Sequence, residues 1–325
     1  MSGLSSQDRE PSTTSGTIAM ANLQAQIDGL TLRVRGAGSG RAAPRAVAGR
    51  AALVDLLLLR GHVLARIADY ERAAELAEWL VRNAPDDGTA WLARARTRAT
   101  FRRFAVALAD LETAGRNGVD GATVDAERAP ILQSLGCYWH ALVLCETAAK
   151  RRPGFTALGA LAVLQAERGQ VATAERLFAE ARRCYQGVSP FPLASLDYRR
   201  GLMWLGEGRL RAARSWFVAA RRRVPAYAPV LGHLAEVDAA LGAHGAAIGL
   251  LRPLASSSDD PAYAASLARA LSAAGHLREA RTWSASAAAR YDELVQRHPD
   301  AFTGRPAAFR RQPGAARTLA AEGSS

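Results

Sequence analysis

Lysine is almost missing from this sequence: Lys150 stands alone among 42 basic residues. Cysteine is nearly as scarce, with only Cys137, Cys145 and Cys184. An odd, sparse set makes no disulfide framework and suits a reducing compartment, so a cytoplasmic location is expected. Aromatic residues make up only 6% of the chain. No Val/Ile/Thr run alternates with polar residues for long, which argues against a sheet. The longest apolar run, residues 51–59, is broken by Asp55 and is too short to span a bilayer. Residues 1–30 lack a basic stretch followed by an apolar one, so no signal peptide is expected.

What remains is a chain rich in alanine, leucine and arginine, 49% hydrophobic overall. That mix suits close-packed helices. With 42 basic and 30 acidic residues the net charge is +12. Such a balance permits binding to acidic proteins, nucleic acid or anionic membrane. Because the excess is almost all arginine, it reads more as compositional bias than as the mark of one ligand.

The chain carries a ruler. Ala73, Ala107, Ala141, Ala174, Ala213, Ala247 and Ala280 follow one another at steps of 34, 34, 33, 39, 34 and 33 residues. Twelve residues before each stands a small residue: Gly61, Ala95, Ala129, Ala162, Gly201, Ala235 and Ala268. Two antiparallel helices joined by a short turn pack closely only where both side chains are small. The paired small positions mark that approach. Between them Gly136, Gly169, Gly208, Gly242 and Gly275 share one place, where a helix ends in a left-handed residue. An apolar anchor follows in most units: Tyr70, Phe104, Tyr138, Val171, Leu210 and Leu277. Positions four and seven after the alanine give an inward face, as in Ala77 with Leu80, Cys145 with Ala148 and Phe217 with Ala220. Pro85, Pro153 and Pro225 close second helices at a shared place.

This pattern resembles the tetratricopeptide repeat, in a bacterial-type chain of seven degenerate units over residues 54–294. Trp91 matches the family's first aromatic, the seven alanines its central alanine, Phe178 and Phe217 its second-helix phenylalanine, and the three prolines its closing proline. The resemblance implies an all-α fold, a right-handed α-solenoid of helix pairs across residues 46–298 with a capping helix. A segment of residues 1–45 precedes it. There residues 1–17 read as disordered, 18–32 as a helix and RVRGAGSGRAAPRAVAGR as a basic linker. A Pro/Gly/Arg-rich tail, residues 299–325, follows, and residues 301–309 are expected to dock by two phenylalanines. The segment GVSPFPL, residues 187–193, creates the 39-residue step. Pro190 and Pro192 are expected to prevent helix there and to bend the array. Pro130 is expected to delay or kink the first helix of the third unit.

The concave groove of such an array is lined by first helices. Its expected partner-binding residues are His62, Arg66, Arg96, Gln133, Tyr198, Arg199, His233, Glu236 and Arg269. Arg60, Arg94, Arg128 and Arg200 stand where the family usually has leucine. They read either as arginines with buried stems or as a ladder for an acidic peptide or phosphate. The lysine and asparagine that clamp a C-terminal carboxylate in some relatives are missing from these positions.

No catalytic, cofactor or metal site is expected. GAGSG, residues 36–40, lacks the dinucleotide-loop spacing. Cys137, His140 and Cys145 have no metal-binding pattern, and Cys145 falls at a core position. The expected function is a non-enzymatic scaffold binding a protein or peptide, acidic rather than basic. The alternatives are a nucleic-acid-binding solenoid and an accessory protein that presents a peptide to a modifying enzyme.

Overall fold

The computed structural model describes residues 11–36 and 44–303, which form helices and no strand. After α1 (Gly16–Gly36) come seven helix pairs: α2 (Pro44–Leu64) with α3 (Ile67–Asn83), α4 (Gly88–Thr100) with α5 (Phe104–Arg116), α6 (Gly121–Ser134) with α7 (Tyr138–Arg151), α8 (Phe155–Glu167) with α9 (Val171–Arg183), α10 (Pro190–Gly206) with α11 (Leu210–Arg223), α12 (Ala228–Ala240) with α13 (His244–Ser257), and α14 (Pro261–Ala273) with α15 (Leu277–Arg297). α16 (Pro299–Phe302) is a single turn. The chain is an α-solenoid in which each pair packs on its neighbours.

Both small positions are buried in all seven units, as close helix approach requires. Where the first is glycine, the partner is aromatic. A Cβ on Gly61 would lie 2.6 Å from the Tyr70 ring, and one on Gly201 would lie 2.5 Å from Phe217. The five turn glycines all have positive φ, between 69° and 85°. Arg102 holds the same place in the second unit at φ 59°, against the preference of a residue with a Cβ.

The prolines behave differently from expectation. Pro190 and Pro192 do not prevent helix: they occupy the first turn of α10, where a missing N–H has no intrahelical partner to lose. The 39-residue step is absorbed by this helix, which has 17 residues against 13 in α8 and α12. Likewise α6 begins at Gly121 and runs through Pro130 without a break. Pro130 and Ala126, whose carbonyl it leaves unpaired, both face solvent. Residues 44–50, expected as linker, are the start of α2. Residues 1–10, 37–43 and 304–325, including Phe309, lie outside the described residues. Ala148, expected in the core, is exposed.

The array closes on itself. Val63 of the first unit shares a core cluster with Tyr198, Phe217, Tyr227 and Leu234 of the fifth and sixth. Ile67 and Phe101 pack with Ala264, Tyr291 and Leu294 of the seventh and with Phe302 of α16. Polar contacts fasten the joint. The Asp259 carboxylate accepts from Ala68 N at 2.9 Å and from Ile67 N, and the Ser258 hydroxyl donates to Ala65 O at 2.7 Å. Arg297 and His298 reach Glu71 at 2.7 and 2.8 Å, and the His298 ring stacks on Phe101 at 4.0 Å. α1 lies along α2 and bridges to α10, with Leu23 and Ile27 buried against Val47, Leu53 and Leu57.

Asp259 therefore caps α3 from a residue 192 positions away. Asp259→Ala is expected to cost about 1 kcal/mol, the usual worth of an N-cap. The check is amide hydrogen exchange, which should rise first at Ile67 and Ala68.

Candidate binding surfaces

First helices of the pairs supply most residues around the interior. One cavity of about 380 Å³ lies at the joint, bordered by His62, Tyr70, Phe101, Tyr198, His233, Glu236, Tyr263 and Phe302. A second, of about 450 Å³, is bordered by Leu58, Arg96, Phe104, Glu127, Ile131 and Arg199. Thr100 borders both, so the two adjoin.

A network of polar rings borders or backs the first. His62 Nε2 lies 2.7 Å from the Tyr227 hydroxyl. His233 Nδ1 lies 2.9 Å from Pro229 O and 3.3 Å from the Tyr198 hydroxyl. A carbonyl only accepts, so Nδ1 of His233 is the protonated nitrogen. Burial, chiefly, raises the pKa of the Tyr198 and Tyr227 phenols. The His62 ring borders the cavity with protein packed closely around it. That desolvation, and then the Arg199 charge, lower its pKa to about 4. Neither ionised phenols nor a protonated His62 are thus favoured near neutrality.

The structure brings His62, Tyr198, His233 and Glu236 to the first cavity, and Arg96 and Arg199 to the second. Tyr198 is buried at 7% exposure, so most of it packs rather than faces a ligand. Arg96 spans Asp55 at 2.8 Å and Glu127 at 2.7 Å. Arg66 precedes α3 exposed, Gln133 is half-buried on α6, and Arg269 donates to Ser266. None of these three borders either cavity. Tyr227, Tyr263 and Phe302 do line or support this interior and were not anticipated. The repeat frame hides them, since Tyr227 sits in a turn between units and Phe302 lies beyond the last one.

The ladder arginines meet internal carboxylates. Arg60 holds Asp69 through two nitrogens and also donates to Gln24 at 2.6 Å. Arg94 holds Asp110 through two nitrogens, at 2.8 and 3.0 Å, and reaches Glu78 of the preceding unit at 3.2 Å. Arg200 forks onto Glu175 of the preceding unit and stacks over Trp216 at 3.8 Å. Arg128 pairs with Asp125 on its own helix at 2.9 Å.

On the outside, α7 is unusual. Leu135, Tyr138, Trp139 and Val143 cluster at its start with exposures of 48%, 45%, 71% and 60%. Trp139, Val143, Glu146 and Lys150 share one helical face by their spacing. Lys150, Arg151 and Arg152, all exposed, end it. Among the described residues no cluster of three or more His, Cys, Asp or Glu could hold a metal ion, and no helix is long and apolar enough to cross a membrane.

No family model and no curated protein matches the sequence. Solved structures match the fold. A human IFIT1 dimer with PPP-AAAA superposes with a TM-score of 0.58 at 17% identity, over 77% of this chain and 62% of that one. The Cut9-Hcn1 hetero-tetramer of the APC/C gives 0.52 at 16% identity, over 82% of this chain and 54% of that one. A tetratricopeptide repeat protein from Parabacteroides merdae gives 0.46 at 15% identity, over 77% and 98%. The chain thus spans less than two thirds of the first two.

Proposed function

We propose that this tetratricopeptide-like α-solenoid is a non-enzymatic scaffold that docks a protein segment with an apolar stretch and an acidic end. The outer face of α7 carries the reading. A contiguous apolar patch exposed on a folded protein marks an interaction site more often than an accident of composition. Trp139 is a large, rigid anchor, and its ring already holds the Arg168 guanidinium at 4.9 Å. The cations at residues 150–152 choose an acidic continuation of the segment. The groove implied by the repeats is narrower than an open array offers. A peptide threading the whole superhelix would have to separate α2 from α12.

The test uses the full chain and a fluorescent amphipathic peptide with leucines at helical spacing followed by a glutamate run. Trp139→Ala is expected to weaken binding about tenfold or more, as a central anchor does, with an unchanged melting temperature. Equal binding by a scrambled peptide, or by the variant, would count against this face. Salt-dependent binding to mixed DNA and RNA, insensitive to Trp139→Ala, would favour the nucleic-acid alternative instead.

A further inference from the structure

The end of a helix favours a cation, because its last carbonyls carry the negative end of the dipole. One suffices for α3 with Arg82, α5 with Arg116 and α15 with Arg297, and α13 has none. The middle units carry more. α7 ends in Lys150 and Arg151, α9 in Arg182 and Arg183, and α11 in Arg221, Arg222 and Arg223. Arg182 and Arg223 turn inward to Asp197. Lys150, Arg151, Arg152, Arg183, Arg221 and Arg222 are exposed, and among the described residues none makes an ion pair. Lys150, Arg183 and Arg222 stand nine residues after Ala141, Ala174 and Ala213, so three successive units present a free cation at the same place.

Each pair repeats the one before it, so second helices run parallel and their ends share one edge. The segments between units lie on that edge too. Residues 152–154, 184–189 and 224–227, which leave α7, α9 and α11, hold no carboxylate. The other segments do: Asp86 and Asp87 follow α3, Asp120 follows α5, and Asp259 and Asp260 follow α13. The edge is therefore basic across its middle and mixed at its ends. Glu146 and Glu180 stand one turn before Lys150 and Arg183 without pairing with them, and α11 has no carboxylate. Residues 11–16 also reach this edge, where Thr14 N donates to Val188 O at 2.8 Å and a Cβ on Gly16 would meet Val224. They carry no charge that could match the cations.

We propose that this edge binds an acidic protein segment that leaves the α7 face and runs past Arg183 to Arg222, laying carboxylates against three units. The proposal rests on the docking reading for the segment's starting point and adds the direction and length of its acidic part. Unmatched charges of one sign on neighbouring units reinforce one another, so a polyanion gains from several at once. Packed helix axes lie about 8–10 Å apart, and adjacent second helices are separated by at least that. At about 3.3 Å per extended residue, a run from α7 to α11 needs at least about six residues. The rings close to the α9 cations favour protein over nucleic acid. The Tyr185 hydroxyl donates to Ser189 O at 2.6 Å and its ring packs on Phe155, while Trp216 lies under Arg182 and Arg200. Neither offers a free face for a base to stack on.

The test is fluorescence anisotropy with the full chain and the leucine peptide of the docking test, its glutamate run set at two, six or ten residues. At low salt the longest run is expected to bind at least about tenfold more tightly than the shortest, as several exposed ion pairs add up. Arg183→Gln, Arg221→Gln and Arg222→Gln together should abolish that gain, since the shortest run reaches only the end of α7. The matched variant, Arg82→Gln with Arg116→Gln and Arg278→Gln, removes the same charge elsewhere and should keep the gain. All six side chains are exposed and free of ion pairs, so melting temperatures should hold. Equal affinities for the three runs, with Trp139→Ala still weakening each, would overturn the edge and leave the docking face standing. A matched variant that loses the gain as fully would overturn it too, because net charge alone then suffices. If Trp139→Ala changes nothing, the docking face fails and a glutamate decapeptide alone decides the edge. Binding that the Arg183, Arg221 and Arg222 variant loses sustains it; binding that survives, or none, overturns it. Duplex DNA that binds more tightly than the longest run, through the same three arginines, would overturn it in favour of a phosphate backbone.

Discussion

Asp197→Ala is expected to cost about 3–5 kcal/mol, the range for removing one member of a buried ion pair. Asp197 is completely buried on α10. Its carboxylate takes Arg182 from the preceding unit and Arg223, at 2.8 Å, from its own second helix. Both guanidinium groups are mostly buried, at 21% and 11% side-chain exposure. Alanine would take from both arginines the buried carboxylate that they share. The loss comes from buried charge left less well compensated rather than from the lost attraction alone. Asp197→Asn keeps the volume and should remain strongly destabilised. Replacing all three residues by apolar ones of similar volume should recover much of the loss, since it removes the desolvation cost as well. Urea denaturation followed by circular dichroism gives the midpoints. Asp125→Ala, which breaks the exposed pair with Arg128, should stay close to the wild type.

Phe217→Ala should cost a similar amount, about 3–5 kcal/mol, through the cavity it leaves. Phe217 has no exposed surface and lies between Gly201 and the rings of Tyr198 and His233, at centroid distances of 6.0 and 5.8 Å. It also explains why Gly201 is glycine. A methyl group there would overlap the ring, so Gly201→Ala alone should cost about 1–3 kcal/mol by overpacking. The two changes answer each other. Gly201→Ala combined with Phe217→Leu should cost less than the sum of the separate losses. Additive losses would show that the two positions do not share one packing problem. In a solenoid each unit leans on its neighbours. Hydrogen exchange should therefore report loosening in α10 and α11 before the ends of the array.

Much of the fold was legible because its determinants are local. The alanine and the small residue twelve positions earlier meet across one turn, so a fixed spacing records the contact. The turn glycines are legible for the same reason: only the backbone conformation matters, and glycine adopts it freely. The prolines misled because their effect depends on position within a helix. Pro190 and Pro192 in a first turn remove no hydrogen bond, and Pro130 frees a carbonyl that faces water. The first unit also departs from its frame. Its turn falls at Ala65, with φ 51°, and α3 starts at Ile67, a turn of helix earlier than the ruler implies. That start is stabilised by Asp259, which the frame does not connect to it.

The binding surfaces were the least legible part. The ladder arginines share a frame position but not a fate. Arg60 and Arg94 meet aspartates of their own unit, Arg200 a glutamate of the preceding unit, and Arg128 a residue on its own helix. Which carboxylate lies within reach depends on how neighbouring pairs rotate, and no spacing rule records it. Of the expected groove residues, His62 and Tyr198 became part of an internal network because Tyr227, from the turn before α12, and His233, from the sixth unit, reach them.

By itself the sequence determined an all-helical array of seven pairs, the places where helices touch within a pair, and the turns between them. These rest on contacts between residues a few turns of helix apart. Only the tertiary structure decided that the array closes and which residues of distant units come together around its interior. Those outcomes depend on small rotations between neighbours, summed along seven units until residues such as Ile67 and Asp259 come into contact.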